Sequence, residues 1–245
     1  MENLAQKTIG QIVVEDYRTA QIFKNHKIDF CCQGNRSIEE AANKRKLDAQ
    51  LLLNEIMELP QSNAKESTDF NSWPLDLLAD FIEKKHHRYV EEKIPVLKQY
   101  LNKLCKVHGD KHPELLKITE HFIGSSGDLA AHMKKEELIL FPSVRKMVNA
   151  KRTGSTMEKP YFGTVQNPVQ KMMEEHEVEG ERFRQINALS NNYTPPEDTC
   201  NTYRVTFSLL QEFENDLHQH IHLENNILFP KAVELEKELK NGNTI

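Results

Sequence analysis

Long apolar runs are missing from this chain of 245 residues. No stretch approaches the roughly 18–20 apolar residues that a membrane-spanning helix needs, so no span is expected. The N-terminus, MENLAQKTIGQIVVEDYRTAQ, has no basic region followed by an apolar run, so no export signal is expected. Cysteine is scarce. Cys31, Cys32, Cys105 and Cys200 form neither a Cys-x-x-Cys pair nor a spaced disulfide framework, and a reducing cytoplasm is the expected compartment. Basic excess is absent as well: 32 Lys and Arg stand against 37 Asp and Glu, both signs are interspersed, and no basic stripe offers itself to nucleic acid. Histidine alone is over-represented, with eleven residues, and metal binding is the first reason to test.

The pattern along the chain is helical throughout. Residues 1–59 form a polar segment with apolar residues at Ile9, Ile12, Val13, Tyr17 and Ala20, which is helical spacing. DFCCQGNRS interrupts it with Gly34, Asn35 and Ser37. Ser37 followed by Glu40 predicts a capped helix start, and a further short helix is expected over 49–58. Residues 60–71, PQSNAKESTDFN, read as a linker. Residues 72–240 predict four long helices, near 75–107, 113–148, 168–190 and 198–240. Two of the three connections are short, which makes their flanking helices antiparallel neighbours in a four-helix bundle. The fold class is therefore all-α, a bundle preceded by a small helical domain. The apolar face of that small domain is slight for an independent core, and pairing of two chains through it would cover it.

Two stretches repeat: HMKKEELILFP at 132–142 and HIHLENNILFP at 220–230, 88 residues apart. Residues four apart lie on one helix face, so His132 points with Glu136 and His220 with Glu224. That face also carries the Leu and Phe of each Leu-Phe-Pro, and helical periodicity continues past Pro142 and Pro230, so each proline is expected to kink its helix. An unpartnered polar group buried among apolar residues costs roughly 2–7 kcal/mol, which a shared metal ion removes. The first and third helices supply matching histidines: His87 lies 45 residues before His132, and His176 lies 44 before His220. His86 is the alternative on the first helix, because successive helical residues point about 100° apart and only one faces inward squarely. Four histidines and two glutamates suit two adjacent ions. Imidazole with carboxylate fits iron, manganese or zinc, and the lack of thiolate argues against structural zinc or an iron–sulfur cluster.

This arrangement of His87, His132-x-x-x-Glu136, His176 and His220-x-x-x-Glu224 resembles a haemerythrin-like domain. With LENNILFP at 223–230 and DFCCQGNRSIEEA at 29–41, nearly the whole chain resembles the Repair of Iron Centres family, the di-iron proteins that repair iron–sulfur clusters. The resemblance implies two non-haem iron ions, oxo- and carboxylate-bridged, with His87, His132, His176 and His220 as terminal ligands and Glu136 and Glu224 as bridges. It implies rebuilding of clusters damaged by nitric oxide or peroxide, by iron donation, with damaged iron–sulfur proteins as partners and nitric oxide or oxygen as small ligands. The set holds fewer histidines than oxygen carriers use, which weighs against oxygen transport.

Beyond these six, Cys31 and Cys32 are candidate thiols for redox, nitric-oxide or iron handling, beside Arg36, whose charge would favour a thiolate. Glu175 and Asp128 are placed to line a channel or orient a ligand. His218 and His222 are expected to be solvated, Cys105 and Cys200 structural, and His26, His108, His112 and His121 without a role in the site.

Overall fold

The computed structural model describes residues 4, 6–59, 68–156 and 160–242. Every extended element among them is helical, and the only β pairing is a single bridge between Thr8 and Ser37. The N-terminal segment folds as α1 (Ile9–Glu15), α2 (Thr19–Asn25), α3 (Ile38–Arg45) and α4 (Ala49–Met57). Ser37 and Glu40 form the reciprocal cap that their spacing predicts, and Thr8 with Gln11 forms another. Of the expected linker, 60–67 lie outside the described residues; Phe70–Ser72 form a short 3-10 turn.

The bundle consists of α5 (Leu75–Phe81) and α6 (Arg88–His108), α7 (Glu114–Lys135) and α8 (Phe141–Thr153), α9 (Gln166–Leu189), then α10 (Asn201–Leu223) and α11 (Phe229–Gly242). Three of the four long helices are interrupted by a π-turn: Ile82–His87, Glu136–Leu140 and Glu224–Leu228. In the last two, the amides of Phe141 and Phe229 donate to the carbonyls of Glu136 and Glu224, five residues back. A proline lacks its own amide and presses on the carbonyl four residues earlier, so Pro142 and Pro230 each follow a widened turn that accommodates them. The local distortion that the two prolines predict is thus a π-turn that begins at the glutamate of each repeat.

The core runs without a break from the N-terminal segment into the bundle. Ile9, Ile12, Phe23, Phe30 and Leu52 belong to one apolar cluster with Leu97, Phe122, Phe183, Phe207 and Phe213. The apolar face that was to be covered by a second chain is covered by the chain's own bundle. A second cluster, around Leu78, Phe141, Met172 and Phe229, closes the other end.

Candidate metal centre

The two clusters leave between them a layer of buried polar side chains. His87, His132, His176 and His220 are at most 3% exposed, and Glu136 and Glu224 are fully buried. They form two groups of potential ligands that share both carboxylates. His87, Glu136, His220 and Glu224 make the first group; His132, Glu136, His176 and Glu224 make the second. Within each group, one ligand atom per residue lies within 4.8 Å of the others. The Nε2 atoms of His87 and His132 stand 3.4 and 3.3 Å from Oε2 of Glu136. Those of His176 and His220 stand 3.2 and 3.0 Å from the carboxylate of Glu224.

The repeated Leu-Phe-Pro builds the wall of this layer. Phe141 lies parallel to the His87 ring, with centroids 5.5 Å apart, and Phe229 lies parallel to His176 at 5.9 Å. Leu140 and Leu228 are buried in the same apolar cluster as the two phenylalanines. Each repeat therefore supplies a histidine, a carboxylate, and the aromatic face that fixes a histidine of the preceding helix.

The residues fit a pair of cations. Both carboxylate oxygens of Glu136, Oε2 of Glu224 and Nε2 of His87 are buried without a hydrogen-bond partner among the described residues. Nε2 of His132 and Nε2 of His176 face each other at 3.0 Å. Buried polar atoms are rarely left so, and two imidazole nitrogens so close are reconciled when each binds a cation. Burial alone would lower the His132 pKa, but the Glu136 charge and the hydrogen bond that the ring makes to Glu175 raise it to about 10. Burial likewise opposes ionisation of Glu224, but the histidines around it hold its pKa well below the usual range. The proton on the His132 ring thus offsets carboxylate charge that a bound cation would otherwise neutralise.

The far nitrogen of three of the four rings is tied. His87 Nδ1 bonds Glu137 at 3.0 Å, His132 Nδ1 bonds Glu175 at 3.0 Å, and His176 Nδ1 bonds Asn225 at 2.9 Å. Such partners fix ring orientation and tautomer and raise donor strength. Glu175 thus orients a candidate ligand, whereas Asp128 is exposed and pairs with Arg182. Glu137 and Asn225 were missed in the sequence. The signal was present: each directly follows the glutamate of its repeat.

His86 is as buried as His87. The π-turn that ends at His87 packs more residues into a turn, so successive side chains diverge less and both rings face inward. His87 joins the first group, whereas His86 Nδ1 bonds Asp216 at 3.0 Å and its ring stacks on His220. His222 corrects the expectation of solvation. It is 1% exposed, packs against Tyr17 and Phe30, and burial drops its pKa to about 3. The N-terminal segment covers that side of the helix, which no periodicity within the bundle reveals. His218 is half-buried by the same segment, against Phe30.

Cys31 and Cys32 lie against the metal layer. Their sulfurs are 3.7 Å apart, and Cys32 Sγ donates to the His176 carbonyl at 3.3 Å. Arg36 turns its Nε to the Gln33 carbonyl. Cys31 instead faces Cys32 and Asp29, and the bond with Cys32, burial and the Asp29 charge raise its pKa well above the ordinary value. Cys105, half-buried, bonds Thr119, but Cys200 is exposed at the start of α10, where His108 at 3.2 Å lowers its pKa to about 7. His26 pairs with Glu55, and His112 with Glu114 and Asp198.

Fold and layer together define a haemerythrin-type bundle built to hold two cations through shared carboxylates. Residues 78–232 match the Hemerythrin HHE cation binding domain, and residues 5–60 match a domain of unknown function (DUF542). Among curated proteins, the chain is 34% identical over 227 residues to the iron-sulfur cluster repair protein YtfE of Yersinia pseudotuberculosis serotype O:1b. It is 33% identical to the protein of that name in Yersinia pestis strain Pestoides F, and each match covers 93% of this chain and 96% of the relative. The chain belongs to this family of iron–sulfur cluster repair proteins. No described helix is long and apolar enough to cross a membrane.

Proposed function

We propose that this chain repairs damaged iron–sulfur clusters by carrying two non-haem iron ions in the buried layer and donating iron from it. The ligands in this reading are His87, His132, His176 and His220, with Glu136 and Glu224 bridging. The observation that carries it is the sharing of both carboxylates by two four-residue groups, in a layer whose oxygens have no other described partner. Imidazole and carboxylate hold ferrous iron without the permanence of an all-thiolate site, which suits cargo that must leave. The damaged proteins served by the relatives, which are named for cluster repair, set the expected partner class, and the cytoplasm is the expected compartment.

The bundle, 72–240, holds the cargo in this reading, and the segment 1–59 handles its transfer. Cys32 supports the division because it sits on the N-terminal segment yet touches the backbone of a candidate ligand. The test is an oxygen-free transfer assay. Iron-loaded protein is mixed with a dehydratase whose four-iron cluster nitric oxide has damaged. Recovery of dehydratase activity matched by iron lost from this chain is the expected result. No recovery with iron retained would overturn donation and leave nitric oxide or oxygen chemistry at the same layer.

A further inference from the structure

The second repeat differs from the first where it matters most. Shifted by 88 residues, Glu137 corresponds to Asn225. Both bond the Nδ1 of a candidate ligand on the preceding helix, His87 and His176 respectively. A carboxylate only accepts hydrogen bonds, whereas an amide accepts on one atom and donates on another. Asn225 uses both. Its Oδ1 faces His176 Nδ1, and its Nδ2 donates to the Cys31 carbonyl at 3.0 Å. The two contacts fix the amide's orientation without ambiguity, since the Cys31 carbonyl can only accept. The imidazole must then carry its proton on Nδ1, which leaves Nε2 for Glu224 and an ion.

The same loop grips His176 a second time, through the thiol of Cys32 on its carbonyl. Room for that thiol comes from Gly180, one turn further along α9, where a Cβ would stand 3.0 Å from Cys32 Sγ. The next residue of the π-turn reinforces the seat: Asn226 Nδ2 donates to the Phe30 carbonyl at 3.1 Å. In the first repeat Glu137 meets only Lys134 besides His87, and no part of the N-terminal segment reaches it among the described contacts.

We propose that Asn225 is a positioning residue through which the Cys31–Cys32 loop gates one ion of the pair, that between His132 and His176, and not the other. The inference rests on the two-ion reading above. With the loop seated, Asn225 and Cys32 hold the side chain and backbone of His176 at once. A partner that draws the loop away removes the Cys32 hold and the Cys31 anchor of the Asn225 amide, so that the amide and the ring it positions are free to turn.

The test is release of ferrous iron to a coloured chelator in excess, from the full-length loaded protein without oxygen. Loss of a partner behind a metal-bound histidine typically weakens binding 10–100-fold. Asn225→Ala is therefore expected to accelerate release of one ion per chain by about 10-fold or more, leaving the second at the wild-type rate. Gly180→Ala, a change that favours helix, crowds Cys32 Sγ by a few tenths of an ångström and is expected to quicken release of the same ion by a smaller factor with every ligand intact. Asn225→Asp keeps an acceptor for His176 but cannot donate to Cys31, so adding Gly180→Ala to it should change the release rate no further. Equal acceleration of both ions, or wild-type release in both Asn225→Ala and Gly180→Ala, would overturn the proposal. Should Asn225→Ala fail to load, Gly180→Ala decides alone. Cluster repair by the same wild-type preparation separates the two readings: uneven release without repair sinks donation, and repair with even release sinks the gate.

Discussion

The two groups of the metal layer use the same residue types and share both carboxylates, yet their surroundings differ. His87 and His132 each have a carboxylate behind the ring, Glu137 and Glu175. The other ring of each group does not. His176 leans on an amide that also holds the N-terminal loop, and His220 has a buried Nδ1 with no described partner and His86 stacked on its face. A carboxylate raises the donor strength of an imidazole more than a neutral amide does. In the proposed two-ion reading each ion therefore has one strong nitrogen donor and one weaker, and only one of the weaker donors answers to the cysteine loop. The repeated stretch supplies a near-symmetric cage, and the departures from symmetry mark where the proposed control enters.

The strongest blow to this comparison falls on what the groups share. Glu136 and Glu224 occur in both, so Glu224→Ala is expected to abolish binding of both ions, as metal analysis of the purified protein would show. Full iron content in Glu224→Ala or His132→Ala would mean that the wrong face has been chosen. His87→Ala and His176→Ala strike one group each and are expected to leave about half the metal, with the loss larger than the 10–100-fold weakening expected from the residues behind the rings. Replacing both Cys31 and Cys32 with alanine removes no ligand, so both ions should still load, although loss of the Cys32 hold on the His176 carbonyl should quicken release of one of them. The loop's main-chain seat persists, because Asn225 and Asn226 bond the carbonyls of Cys31 and Phe30 rather than side chains. The iron spectrum should stay intact while repair falls; loss of iron in that double variant would defeat the division of labour between segment and bundle.

Much of this was legible from the chain. The repeat pointed to both His-x-x-x-Glu pairs, and spacing led to His87 and His176, which the structure brings into the same buried layer, because facing positions on four packed helices leave a register in the sequence. The capped start at Ser37 was legible because capping is local. What escaped depended on contact between distant segments. His222 reads as solvated within its own helix, and only the packing of Tyr17 and Phe30 on it shows otherwise. The π-turns escaped because Pro142 and Pro230 announce a distortion but not its kind, and Ile82–His87 has no proline at all. Cys31 looked activated by Arg36 in sequence, but in space its neighbours are Cys32 and Asp29.

The smallest effect separates the carboxylate-backed rings from the bare one, and it appears in the metal-free protein. The hydrogen bond to His132 holds the Glu175 pKa at about 2, against an ordinary 4.5. A lowered carboxyl pKa contributes stability that is present above the ordinary value and is lost as pH falls towards the lowered one. His132, raised from 6.5 to about 10, contributes stability that is complete below 6.5 and is lost as pH rises through 10. The pair is thus fully formed between pH 4.5 and 6.5. Glu175→Gln should lower stability most in that window, by on the order of 1 kcal/mol because Glu175 is partly exposed and screened. The difference from wild type should shrink towards acid and towards base. His220 behaves oppositely: burial lowers its pKa, so protonation at acid pH works against the fold. Urea unfolding of both metal-free proteins across pH measures this, and a difference that does not change with pH would show that Glu175 merely packs against His132.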